Sequence, residues 1–210
     1  ATNQYVFLSS SRVYADFKEP ITENSPRLLD ISDDKDFLLT DEYALSKARQ
    51  EDILKNTGRE NWTIIRPYIT YSENKLQLGV LEKEEWLYRA LQGRTIVFSK
   101  DIASKITTMT YGYDVSKGIC AIIGNKKCLG EVFHITNNES VTWQKILDIY
   151  LHILEKHLLK KPKVLFQDLQ NFELWKTSKY QIYYDRLYNR RFNNSKISTF
   201  ANVNLFTPVE

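Results

Sequence analysis

Two cysteines, three histidines and one methionine are all the soft, metal-prone side chains that 210 residues hold. Cys120 and Cys128 stand eight apart around a Gly124-Asn125 turn, without CxxC spacing. They read as free thiols in a reducing compartment, which places the chain in the cytoplasm. His134, His152 and His157 offer no i,i+4 pair, so no zinc or other metal site is expected. Met109 is the sole methionine, so the chain opens at Ala1 without an initiator. It reads as processed, or as a piece of something longer. Ala1-Thr2-Asn3-Gln4 lacks the basic and apolar regions of a signal peptide. No apolar run approaches the roughly 18 residues that span a membrane, and no membrane partner is expected. Charge of one sign is scarce too. Lys plus Arg number 29 against 26 Asp plus Glu, and a net +3 is too small to argue for nucleic acid. The densest basic stretch, "EKHLLKKPK" (155–163), reads as a solvated helix end, where cations suit the C-terminal dipole.

What remains alternates strand and helix. Tyr5–Ser9 is an apolar strand, and residues 15–37 form a long polar loop. "TDEYALSKARQEDILKN" (40–56) is a helix that Thr40 can cap and Gly58 closes. "WTIIRP" (62–67) has the continuous apolar run of a buried parallel strand. Further helices are predicted at 81–93, 114–125 (with Asp114 as cap) and 142–159. Further strands are predicted at 94–99, 131–136 and 163–167. In the longest helix Ile146, Tyr150, Ile153 and Leu154 form one stripe. The pattern predicts an α/β fold: a partial Rossmann-like parallel sheet with flanking helices, plus a smaller α/β lobe. The division expected is 1–70 for the sheet domain and 71–210 mostly for the lobe, with about 107–135 returning to the sheet.

The strand Tyr5–Ser9 runs straight into "SSSRVY" (9–14), three consecutive hydroxyls. A Ser-rich turn satisfying its own backbone explains them blandly. A second feature changes the odds. Tyr43 and Lys47 sit four apart on a helix and so share a face. The spacing alone is weak, because Tyr14/Lys18, Tyr71/Lys75 and Tyr113/Lys117 repeat it. Only Tyr43/Lys47 is predicted to lie wholly within a helix. A cation one turn from a phenol favours the phenolate, and a serine across the cleft could hold an alcohol while the phenolate takes its proton. Alcohol deprotonation coupled to hydride departure is what a nicotinamide acceptor requires.

The ordered blocks "FLSSSRVYA…TENSP…DEYALSKARQE…WTIIRPY…GEVFHIT" resemble the extended short-chain dehydrogenase/reductases, the NAD-dependent epimerase/dehydratase family. The likeness runs from about Tyr5 to about Trp143. It implies Ser10 as the catalytic hydroxyl, Tyr43 as the base and Lys47 as its partner. It also implies that Tyr43 and Lys47, with Tyr68, face an NAD or NADP nicotinamide ribose. It implies a sugar substrate, and a dimer formed through the helix that bears the tyrosine.

The departures are as informative. No two of the seven glycines have GxG spacing, so the phosphate loop with which the family begins is missing. The resemblance therefore implies that this is the C-terminal portion of an enzyme, weak in cofactor binding by itself. Ser11-Arg12 replaces the dehydratases' Asp-Glu, Ile69 an Asn of sugar epimerases, and Thr107 a diphosphate-binding Arg. Arg66 and Arg186 read as structural ion-pair partners, and Trp86, Trp143 and Trp175 as core or interface aromatics. Two functions stay open: part of an NAD(P)-dependent sugar epimerase or reductase, and a non-catalytic binding or assembly module. A strand edge exposed at Tyr5–Ser9 further predicts self-association.

Overall fold

A computed structural model describes residues 2–209. Its main elements, in chain order, are β1 (Tyr5–Leu8), α1 (Tyr43–Lys55), β2 (Trp62–Pro67), α2 (Lys83–Leu91), β3 (Ile96–Ser99), α3 (Gly112–Ile122), β4 (Glu131–Ile135), α4 (Trp143–Leu158) and β5 (Val164–Gln167). Strands pair in parallel with helices between them, the α/β arrangement that the apolar runs predict.

The chain divides into two compact units. The first holds residues 2–70, 108–139 and 190–209; the second holds 71–107 and 140–189. In the first unit β2 is central, with β1 on one side and β4 on the other. Leu8 lies beside Ile65, and Ile65 beside Phe133. Ile65, Phe133 and Ile135 of the sheet pack with Val115 and Ile122 of α3, and Ile197, Val203 and Phe206 close the cluster. Each such fully buried side chain contributes about 1.5–3 kcal/mol. Gly118 lets α3 lie this close, because a Cβ there would meet Ile135 Cγ2 at 2.7 Å.

In the second unit β3 and β5 form a parallel pair, and a short antiparallel pair joins Ile106–Thr107 to Val141–Thr142. Trp86 of α2 stacks on Tyr150 of α4, with centroids 4.5 Å apart. Gly79, at φ +60°, takes a turn whose Cβ would strike Phe98 at 2.8 Å.

Several local expectations need correction. The polar loop 15–37 contains the one-turn helix Leu28–Ile31 and leads into another, Lys35–Leu38, started by the Asp34 carboxylate on the Phe37 N–H. Glu42, not Thr40, caps α1 by accepting from Ala44 N at 2.6 Å. Thr40 instead donates to the Phe37 carbonyl. α3 begins at Gly112, so Asp114 lies inside its first turn rather than at its cap. There it accepts from Thr207 N at 2.7 Å and pins the C-terminal segment. The Tyr113/Lys117 pair is consequently helical as well. On α4 the buried stripe is Trp143, Ile146, Leu147, Leu151 and Leu154, while Ile153 is exposed. Trp175 is half exposed, unlike the buried Trp86 and Trp143.

Candidate active site at the end of β1

The three hydroxyls after β1 have three different fates. Ser9 donates to Glu51 Oε1 at 2.5 Å, and Ser11 donates to the Arg66 carbonyl at 2.7 Å. Both are buried and structural. Ser10 caps the short turn Ser11–Val13 by accepting from the Arg12 N–H. Its own proton is directed at no acceptor among the described residues. Of the three, Ser10 alone keeps its donor available.

α1 supplies the next groups. Its inner face is Ala44, Leu45, Ala48 and Glu51, all buried. Tyr43 opens the helix and is 47% exposed. Lys47 follows one turn on, and its Nζ donates to the Leu8 carbonyl at 2.8 Å. That bond fixes the ammonium at the end of β1, two residues before Ser10. Lys47 Nζ is 5.8 Å from the Tyr43 ring centroid, and the Arg12 guanidinium is 5.3 Å from it. Arg12 also pairs with Glu42, the helix cap, at 2.5 Å. Ser10, Tyr43 and Lys47 are therefore held by one strand end and one helix start. Tyr68, after Arg66-Pro67, is 8% exposed, with its ring 5.3 Å from Phe192.

The other Tyr-x-x-x-Lys pair that proves helical is wired differently. Lys117 is held by Asp114 at 3.0 Å, with its Nζ 4.5 Å from the Tyr113 ring centroid, and the pair lies on a helix remote in sequence from the serines. Helicity does not single out Tyr43/Lys47; the anchor on β1 does.

Beneath the site lies an ionic cluster that the sequence alone does not announce. Glu51 is fully buried and accepts from Arg66 Nε at 2.8 Å and Nη2 at 2.6 Å. Burial would raise its pKa, but the Arg66 hydrogen bonds and charge, with Ser9, hold it below the ordinary carboxylate value. Arg27 joins the cluster through Asp30 and Asp52, at 2.7 and 2.8 Å. Arg66 is thus the structural ion-pair partner that was expected. Arg186, in the second unit, likewise pairs with Asp185 and donates to the Gly79 carbonyl. The one available hint of Glu51 was its spacing, seven residues after Ala44 and three after Ala48 on the inner side of the helix.

Among the described residues no group of histidines, cysteines and carboxylates could hold a metal ion. No helix is long and apolar enough to cross a membrane. The second unit has a cleft of its own, of about 360 Å³, between Trp86, Arg89, Val97, Gln167 and Trp175.

The family model described as "Male sterility protein", an NAD-binding family, matches residues 1–116. A curated relative, the chloroplast stem-loop binding protein of 41 kDa b from Arabidopsis thaliana, is 25% identical over 140 residues. The match covers 67% of this chain and 33% of that protein. UDP-glucuronic acid 4-epimerase from Bacillus cereus, solved with NAD, superposes with a TM-score of 0.69 at 18% identity. It covers 99% of this chain and 57% of its own. UDP-glucose 4-epimerase from Thermotoga maritima gives 0.65 at 16% identity, over 95% of this chain and 57% of its own. The chain thus spans a third of that plant relative and under three-fifths of these epimerases. Their identities are low, so the superpositions speak to the fold, an NAD-dependent epimerase fold with its parallel sheet. By the family match and that fold, the chain belongs to the Male sterility protein family, within the extended short-chain dehydrogenase/reductases of the NAD-dependent epimerase/dehydratase type.

Proposed function

We propose that the chain carries the alcohol-deprotonation site of an NAD(P)-dependent epimerase or reductase acting on a sugar, with a nucleotide-linked sugar as the substrate class. One observation carries this reading: Lys47, tied to the Leu8 carbonyl, stands one helical turn from the exposed Tyr43, and the same strand end presents Ser10. In this reading Ser10 donates its free proton to the substrate oxygen and holds it in place. Tyr43 removes the proton from that alcohol and later returns it. Lys47, with its Nζ 5.8 Å from the Tyr43 ring centroid, is the positive charge beside that base.

The residues fit the nicotinamide-ribose end of the cofactor. Lys47 uses one of its three N–H donors on Leu8, which leaves two for ribose hydroxyls. In this reading Tyr43 and Tyr68 face the same ribose. When bound, NAD(P) supplies the hydride acceptor and donor. The phosphates find no cradle here, since the chain has no Gly-x-Gly turn. The 210 residues alone should therefore bind NAD weakly, and micromolar affinity by calorimetry would contradict this. The Bacillus cereus and Thermotoga maritima neighbours are UDP-sugar epimerases, which supports the substrate class.

The test is Tyr43→Phe in the natural full-length protein. Turnover should fall by at least about 10²-fold, the usual worth of a positioned base, while the cofactor still binds. Unchanged turnover, or no turnover by the parent with any sugar nucleotide, would favour the non-catalytic binding module instead.

A further inference from the structure

The basic stretch 155–163 is more than a helix end. Lys156, Lys160, Lys161 and Lys163 are exposed, and so is Arg94 on the neighbouring turn before β3. Among the described residues none of the five has an ion-pair partner, whereas Lys176 and Lys196 elsewhere are paired with carboxylates. The two segments meet in a shallow cleft of about 210 Å³, lined by Leu91, Gly93, Leu158, Lys160, Lys161 and Lys163. Within 155–163 the only acid is Glu155. The acids of α2 lie in its first turn, most of the nine-residue helix away from Leu91.

Complementing the helix dipole accounts for Lys156, in the last turn of α4. It does not account for Lys160, Lys161 and Lys163, which lie beyond the helix. Nor does it account for Leu159. This residue ends α4 at φ +53°, a left-handed position that ordinarily takes glycine or asparagine. It is the sole non-glycine residue with positive φ among those described, and its side chain is 93% exposed. An apolar side chain held out into water, on a backbone conformation that opposes it, stands in the chain between Lys156 and the Lys160-Lys161 pair. Leu91, on the wall of the cleft, is 48% exposed.

We propose that this face of the second unit docks on an anionic phospholipid bilayer. Leu159 would enter the headgroup–acyl boundary while the four lysines and Arg94 lie against lipid phosphates and carboxylates. The long lysine stems can cover apolar surface while their ammonium groups stay at the interface. A nucleic acid would use the same cations, but it has no use for a projecting leucine; a bilayer uses both. The contact is peripheral and reversible, since one leucine and five charges make a weak anchor.

The experiment is co-sedimentation of the protein with vesicles of phosphatidylcholine alone or with phosphatidylserine added to about a third. Binding should appear with phosphatidylserine and fall at high salt. Lys160→Ala and Lys161→Ala should each weaken it by about fivefold. The decisive variant is Leu159→Asn, because asparagine tolerates the left-handed conformation. It should leave thermal stability equal or higher, yet reduce vesicle binding by about tenfold, the lost transfer of one leucine. No preference for phosphatidylserine overturns the proposal. So does a Leu159→Asn variant that binds vesicles as well as the parent. Tight binding of single-stranded polyuridylate that is indifferent to Leu159→Asn, without vesicle binding, would assign the patch to nucleic acid and overturn it as well.

Discussion

Arg66 grips Glu51 through two hydrogen bonds, 2.8 Å from Nε to Oε1 and 2.6 Å from Nη2 to Oε2, and both side chains are buried. Removing one partner strands the other's charge out of water. Glu51→Leu or Arg66→Met alone should therefore cost about 3–5 kcal/mol. Changing both removes the stranded charge and should cost clearly less than the sum. The pKa of Glu51 is depressed in the fold, so its contribution is present above the ordinary carboxylate range and is lost as pH falls through the folded value. Urea unfolding from pH 7 to pH 3 should show stability falling below about pH 4.5. Glu51→Gln should flatten that limb, and an unaltered slope would remove Glu51 from this account.

Tyr14 and His134 make a second buried contact, with the phenol oxygen 3.3 Å from Nδ1. The other ring nitrogen donates to the Asn193 carbonyl at 2.8 Å, which assigns the proton to Nε2 and leaves Nδ1 to accept from Tyr14. Burial, the largest cause, lowers the His134 pKa, so the folded state prefers the neutral ring. Stability should then fall as pH drops below the unfolded histidine value of about 6.5. Burial pushes the Tyr14 phenol up to about 12, against the pull of Arg66. The unfolded chain ionises this tyrosine first, so stability should also fall as pH rises from about 10 toward 12. Tyr14→Phe should shrink the alkaline limb, to which Tyr150, its phenol likewise raised by burial, also contributes, and leave the limb near pH 6 in place. Denaturation curves at half-unit pH steps would show whether the two limbs separate in this way.

Why some of this was legible in the sequence and some was not follows from the kind of signal each residue leaves. β2 was readable because Trp62–Pro67 is buried on both faces and so is continuously apolar. That Tyr43 and Lys47 share one helix was readable because helical spacing is a local property, whereas Ser10 among three serines was picked out only by the resemblance. Glu51 was not, since a carboxylate on an amphipathic helix normally faces water; only its distant partner Arg66 makes burial tolerable. The α3 start was misplaced because Asp114 looks like a cap in isolation. Its actual partner is Thr207, 93 residues away. Ile153 was assigned inward by periodicity, but the inner face of α4 is already filled by Trp143, Leu147 and Leu151. For Glu51 and Asp114 a partner outside the helix outweighs a local rule.

β1 has one neighbour, β2, among the described residues, and strand geometry states which groups its other edge presents. Tyr5 N and Ser9 N donate to Asn61 and Ile65 carbonyls on the β2 side. In a parallel strand the alternate residues, Val6 and Leu8, therefore point their amide groups the other way. Lys47 occupies the Leu8 carbonyl, which leaves the Val6 N–H and C=O open. Such an edge invites pairing with another chain. The 210-residue chain should self-associate at high concentration, and Val6→Pro should reduce that while sparing the β1–β2 ladder. Light scattering that finds the parent monomeric throughout, or Val6→Pro equally associated, would rule out this edge.

The candidate base is best tested against its own look-alike. Tyr43→Phe deletes one half-exposed hydroxyl and should leave stability nearly unchanged while turnover falls by at least about 10²-fold. Ser10→Ala removes the hydrogen bond to the reacting oxygen and should cost about 10²-fold in kcat, with folding intact apart from the lost cap on Arg12. Lys47→Met loses both the cation beside the phenol and the bond to Leu8, so it should lower turnover and cost about 1 kcal/mol of stability. Lys47→Arg can restore the second effect without restoring ribose-sized spacing, which separates anchoring from catalysis. Tyr113→Phe is the control, because its lysine is held closer still, 4.5 Å against 5.8 Å from the ring centroid, but by Asp114 and without a bond to a strand end. Steady-state rates of the five variants in the natural full-length protein decide the matter. If Tyr113→Phe loses as much turnover as Tyr43→Phe while folding normally, the anchor on β1 is not what makes a base, and the assignment of Tyr43 fails.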